Sequence, residues 1–116
     1  MQDQRREGRM LCADMVQVRW TDKEGRARQA LALLEDISPS GACLQLENAV
    51  PLETEVKWDC PKKSFAGVVR YCVYREIGYF VGVEFSQCRW SKKEYKPQHL
   101  LDLEGLVAKT KRSGPV

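Results

Sequence analysis

From Met15 to Phe85 the apolar residues recur at every second position, and that period most restricts what this chain can become. A strand turns successive side chains to opposite faces, whereas a helix repeats every 3.6 residues, so sustained alternation describes half-buried strands. In "MVQVRW" Val16, Val18 and Trp20 share one face, with Gln17 and Arg19 on the other. In "ACLQLE" Ala42, Leu44 and Leu46 point inward, and in "TEVKWD" Val56 and Trp58 oppose Glu55, Lys57 and Asp59. "SFAGVVRYCVYR" and "IGYFVGVEF" are rich in β-branched and aromatic residues, with Tyr79, Val81, Val83 and Phe85 on one face. "RQALALLE" differs. It is apolar on both faces around Leu31 to Leu34, which predicts a central strand.

Short polar punctuation separates these runs: "TDKEGR", "DISPSG", "NAVPLE", "CPKK" and "REIG". Each reads as a turn between neighbours. Six short strands so spaced, with no helical pattern between them, predict an all-β antiparallel barrel or sandwich. Gly67 and Gly82 fall inside strand patterns, where glycine often marks a bulge or a tight bend.

The last thirty residues change character. "SKKE", Ser91 to Glu94, has the spacing of a capping box, and Pro97 suits the first turn of a helix. Leu100, Leu103 and Val107, with Leu101 and Leu106 nearby, form an apolar stripe fit to lie across a barrel. A C-terminal α-helix is therefore expected within 91–112, its main run reaching about Thr110, with a frayed tail at 113–116. The barrel itself is expected over 11–90, behind a flexible arginine-rich arm at 1–10.

Composition narrows the function. The 116 residues, 43% apolar and 30% charged, suit one soluble domain with a real core. No apolar run approaches the roughly 20 residues of a membrane span, and "MQDQRREGRM" lacks the apolar stretch of a secretory signal. A cytoplasmic protein without membrane contact is expected. The five cysteines are scattered without a C-x-x-C pair, and with a single histidine, His99, they offer no zinc spacing. No catalytic set of Ser, His and Asp and no phosphate-cradling glycine loop is present, so neither an enzyme nor a cofactor is expected. The net charge of +3 is uneven: residues 1–9 carry three arginines against two acids, and 86–116 carry seven Lys/Arg against three acids. Such ends are compatible with an anionic ligand.

Two stretches carry candidate chemistry. In "EDISPSGACL" Asp36 and Ser38 lie two apart in an extended segment and so project together. Gly41 follows where a Cβ would clash or φ would be positive. The carboxylate and hydroxyl either tie the turn to its own backbone or stand out for a ligand. In "RREGR" Arg5 and Arg9 are four apart, roughly 13 Å in an extended arm, with Arg6 beside them. Guanidinium groups pair with phosphate oxygens, grip the O6/N7 edge of guanine and stack on bases.

Taken together, Arg5-x-x-x-Arg9 before the first strand and Asp36-x-Ser38-x-x-Gly41 between two later ones resemble the PilZ domain family. "FAGVVRY" and "GYFVGVEF" look like that family's last two strands, so the likeness spans about residues 5–110. It implies a six-stranded PilZ-type β-barrel that binds the bacterial second messenger cyclic di-GMP and relays the signal to a downstream protein partner. Carried over by position, Arg5 and Arg9, assisted by Arg6, would contact phosphates and guanine. Asp36 would accept from guanine N–H groups, Ser38 would bond the base, and Gly41 would allow the tight turn.

Two other readings stand beside it. One is an adaptor of the same fold that does not use the nucleotide. The other is a small-barrel binder of single-stranded nucleic acid, stacking bases on Trp20, Trp58, Trp90, Tyr71, Tyr74 or Tyr79. Trp20 and Trp58 share the apolar phase of their strands, which favours core packing, and no nucleic-acid partner is expected.

Overall fold

The computed structural model describes residues 8–99 and the backbone of 101–102. Six long strands form in the order β1 (Met10–Thr21), β2 (Ala27–Ser38), β3 (Gly41–Leu46), β4 (Glu55–Cys60), β5 (Lys63–Arg75) and β6 (Gly78–Phe85). A two-residue β7, Leu101–Asp102, follows. All pairings are antiparallel, and the sheet runs β2-β3-β6-β5-β4-β1-β7 with a further β2–β1 pairing. That last pairing joins the two ends and closes the sheet into a barrel, which leaves the long strands without a free edge.

Alternation becomes inside and outside. Val16, Val18, Leu34, Leu44, Val56, Trp58, Phe65, Val69 and Val81 point into the lumen and are buried. Trp58 and Phe65 stack at 5.7 Å between centroids, and Phe85 joins Phe65 at 5.2 Å. Burying each such side chain contributes about 1.5–3 kcal/mol, so this aliphatic and aromatic filling holds the barrel shut. Strand β2 has a neighbour on each side, as every long strand of a closed barrel does, but burial on both faces, which its composition suggests, is not met: Ala32 is 1% exposed and Leu31 60%. Nothing among the described residues is layered over the barrel wall there.

The turns follow the sequence punctuation. Asp22 Oδ1 accepts from the amides of Glu24 and Arg26, closing the β1–β2 connection. Pro39 and Ser40 alone join β2 to β3, where Ser38 pairs with Gly41. Irregularities in register fall at Leu11/Asp14, Leu34/Asp36 and Val69/Tyr71; Gly82 pairs with Tyr71 beside the last of these, while Gly67 lies at none.

The expected C-terminal helix is corrected over its first part. Residues 91–99 hold two short turns and no helix, and Leu101–Asp102 pair as a strand with Met10 and Leu11. The capping signal is real but local: the amides of Glu94 and Tyr95 reach the Ser91 carbonyl, and Ser91 Oγ accepts from the Lys93 amide. The turn then stops because Tyr95 is drawn into the barrel end and buried Pro97 has no N–H to continue it. Positions 103–112 of the expected helix, and the tail, lie outside the described residues. Trp90 is likewise buried, its indole N–H donating to the Tyr95 carbonyl at 2.7 Å, so it plugs the barrel end.

Candidate functional site

Cross-strand register builds the site. Residues paired directly across antiparallel strands share a face. Asp36 pairs with Cys43, Cys43 with Gly82, and Gly82 with Tyr71, so one row crosses β2, β3, β6 and β5. The neighbouring row runs Ser38, Gly41, Glu84, Val68. The strands around Val81 and Val83 turn their apolar side chains inward, so these two rows lie on the outer wall.

Over them opens a recess of about 270 Å³ whose lining includes Arg9, Asp36, Ser38, Gly41, Tyr71 and Glu84. Four of the six site residues expected from sequence are thus brought together. Arg5 and Arg6 lie outside the described residues.

Arg9 donates to Asp36 Oδ2 at 2.6 Å. The arginine side chain is 56% exposed and the aspartate 13%, so a solvent-facing cation sits on a nearly covered anion. The carboxylate raises the Arg9 pKa further, first through the hydrogen bond and then through charge. Ser38 Oγ donates to the Gly41 carbonyl at 3.4 Å, a long bond that ties the hairpin but holds the hydroxyl weakly. Of the two readings for this turn, Ser38 serves its own backbone while Asp36 serves the arm.

Gly41 has no positive φ; its need is space. A Cβ there would run into the Val83 carbonyl oxygen of β6. Gly82 has the same need for another reason: a Cβ would meet the Tyr71 ring. The missing side chain at Gly82 lets the tyrosine lie down across the wall, 43% exposed, over the row that holds Cys43. Burial, and next the neighbouring Cys43 thiol, push the Tyr71 hydroxyl up to about 12, so it stays neutral. Burial also raises the Cys43 thiol, which stays protonated beneath it.

Arg70 borders the recess, as its strand position suggests, but its charge is already answered. Its Nε donates to Glu84 at 2.7 Å and its Nη1 to Glu53 at 3.0 Å. Two lining cations, Arg9 and Arg70, therefore face two lining anions, Asp36 and Glu84. Tyr71 and Gly82 escaped the sequence reading as a pair because only β5–β6 register brings them together. A wider recess of about 660 Å³ lies by Trp20 and Lys23, but Arg19, Arg28 and Lys57 on its rim pair with Asp59, Asp22 and Glu55. Among the described residues no group of three or more His, Cys, Asp or Glu is placed to hold a metal, and no helix is long and apolar enough to cross a membrane.

Comparison with known proteins agrees with the resemblance. The family model described as PilZ domain matches residues 3–89. Comparisons with curated proteins and with solved structures find no match. That one match takes in the arginine stretch, the Asp36–Gly41 hairpin and all six long strands, and by it the chain belongs to the PilZ domain family.

Proposed function

We propose that this protein is a cyclic di-GMP receptor that signals by binding and a change of shape, without chemistry. The observation that carries the reading is the Arg9–Asp36 contact, which sets the last arginine of the motif on the Asp-x-Ser-x-x-Gly hairpin.

The ligand's chemistry suits the parts. Each guanine offers N–H donors on one edge, which Asp36 accepts, and O6 and N7 acceptors on another, which a guanidinium grips. The Tyr71 ring, lying flat over Gly82, gives a base a surface to rest on. At about 270 Å³ the recess is smaller than the roughly 300–1,000 Å³ of drug-sized sites, so it takes one end of a dinucleotide.

Charge assigns the rest. The two phosphates bring two negative charges, and the lining is already balanced between Arg9 and Arg70 on one side and Asp36 and Glu84 on the other. Further cations must come from outside the recess, and Arg5 and Arg6 stand next in the chain. On this reading the arm closes over the ligand and, pinned against the barrel, presents a new surface to a downstream protein.

Calorimetric titration with cyclic di-GMP tests it. Binding by the native chain, with a loss of about 1.5–3 kcal/mol in Arg9→Ala, is expected for a charge-assisted contact. No heat from the native protein, or equal affinity for the two, defeats the reading.

A further inference from the structure

A third recess, of about 550 Å³, lies under the strap that follows β6, with Tyr95, Met15, Pro61 and Gln98 among its walls. The strap is fixed from inside. Trp90 and Tyr95 are buried, the Trp90 amide donates to the Pro39 carbonyl at 3.1 Å, and the Ala13 amide donates to the Gln98 carbonyl at 2.9 Å. The Tyr95 hydroxyl donates to Asp14, and its ring packs 5.8 Å from Phe65. With its aromatic residues turned inward, the strap turns its lysines outward.

Lys62, Lys92, Lys93 and Lys96 ring this recess, all exposed and none paired with a carboxylate among the described residues. The acids that share the lining each already hold a donor. Asp14 accepts from Tyr95, Asp59 from Ser64 at 2.6 Å and Arg19 at 3.0 Å, and Glu94 from Lys63 at 3.0 Å. Four unanswered cations therefore surround a concave floor that also offers apolar surface, above all Met15 at 54% exposure.

We infer that this recess docks an acidic segment of a partner protein, one that places an apolar side chain on Met15 and carboxylates against the lysine rim. The occupant follows from complementarity of both kinds. A nucleic-acid strand would find no exposed aromatic ring in the lining to stack on, since Tyr95 is buried. A bilayer would meet a hollow where it needs a flat basic face. A peptide can enter the hollow and spread a few carboxylates along its edge. The surface is separate from the Arg9–Asp36 recess and stands whether or not that recess binds a nucleotide.

Fluorescence anisotropy on the full chain tests this, with a short labelled peptide of glutamates flanking a leucine. Binding is expected, weakened roughly tenfold or more by Lys62→Glu with Lys93→Glu, because attraction becomes repulsion at two rim positions. Reversing two cations elsewhere, Arg26→Glu with Arg75→Glu, is expected to change affinity less than about twofold once salt screens the surface. Met15→Asp keeps every lysine and is expected to weaken the same peptide. No binding by the native chain, or equal loss in both charge-reversed pairs, overturns the proposal. Tighter binding of a labelled oligothymidylate or of phosphatidylglycerol vesicles through the same lysines also overturns it, assigning the surface to another class of partner.

Discussion

Arg9 and Asp36 are 27 positions apart in sequence and 2.6 Å apart in space, and their contact ties the start of β1 to the hairpin that opens β3. Strand register explains why they meet: Met10 pairs with Ile37 and Leu11 with Asp36, so the residue before β1 arrives beside the carboxylate. The arm's attachment point is thus set by β1–β2 pairing, and any ligand of Asp36 must also deal with Arg9.

That relationship separates stability from binding. With its side chain 56% exposed, Arg9 makes an ion pair of the kind worth about 0–1 kcal/mol to folding. Arg9→Ala should barely move the urea midpoint yet weaken cyclic di-GMP strongly. Asp36→Ala should weaken cyclic di-GMP more than a generic polyanion such as heparin, because it removes an acceptor for guanine. Equal loss for both ligands means the carboxylate does not read the base.

The two site glycines should respond differently to alanine. At Gly41 the obstacle is the Val83 carbonyl in the β6 backbone, which cannot move without breaking the β3–β6 ladder. Gly41→Ala should cost about 1–3 kcal/mol or more, as overpacking does, measured by urea unfolding. At Gly82 the obstacle is the Tyr71 ring, a side chain with solvent beside it. Gly82→Ala should cost less stability and more ligand affinity, since the ring must lift from the wall. The reverse order would refute this account of the pair.

What was legible in the sequence follows how local each signal is. Alternation showed the strands and their inward faces because each side chain's face depends only on its own strand. The Arg5–Arg9 and Asp36–Gly41 spacings were visible for the same reason. Tyr71 over Gly82 was not, since it depends on pairing between β5 and β6 across a register shift. Leu31 misled in another way: apolar residues on both faces of β2 suggest cover on both sides, but a closed barrel has one interior. At Ser91 a genuine cap was outweighed by the burial of Tyr95, Trp90 and Pro97 at the barrel end.

Alkaline pH should erode stability through the buried thiols. Burial pushes Cys12 from 9.0 up to about 12, and its thiol contacts the Leu34 carbonyl at 3.5 Å. The unfolded chain therefore loses this proton near pH 9 while the folded chain keeps it. Between those values the folded state binds more protons, so its advantage is complete below pH 9 and is lost as pH rises toward 12. The urea midpoint should fall across that window, and Cys12→Ala should flatten the fall. An unchanged slope in the variant would show that other groups, such as Tyr71, carry the effect.

The strap offers the sharpest local test. Tyr95 closes the barrel end three ways: its ring packs on Phe65, its hydroxyl donates to Asp14, and its carbonyl accepts the Trp90 indole. Tyr95→Phe keeps the ring and the carbonyl and removes only the hydroxyl, leaving the Asp14 carboxylate without its donor. That change should cost about 1–3 kcal/mol, the usual penalty when one partner of a partly buried hydrogen bond is deleted. Asp14→Asn should cost less, because an amide oxygen still accepts from the phenol. Burial, the Asp14 bond and Cys60 all raise the Tyr95 pKa, so the phenol stays neutral and remains a donor through the physiological range. Hydrogen exchange would locate the damage: in Tyr95→Phe the amides of Trp90 and Ala13, which hold the strap's two ends, should lose protection first. Uniform loss over the whole barrel would mean that the hydroxyl supports the core and not the strap.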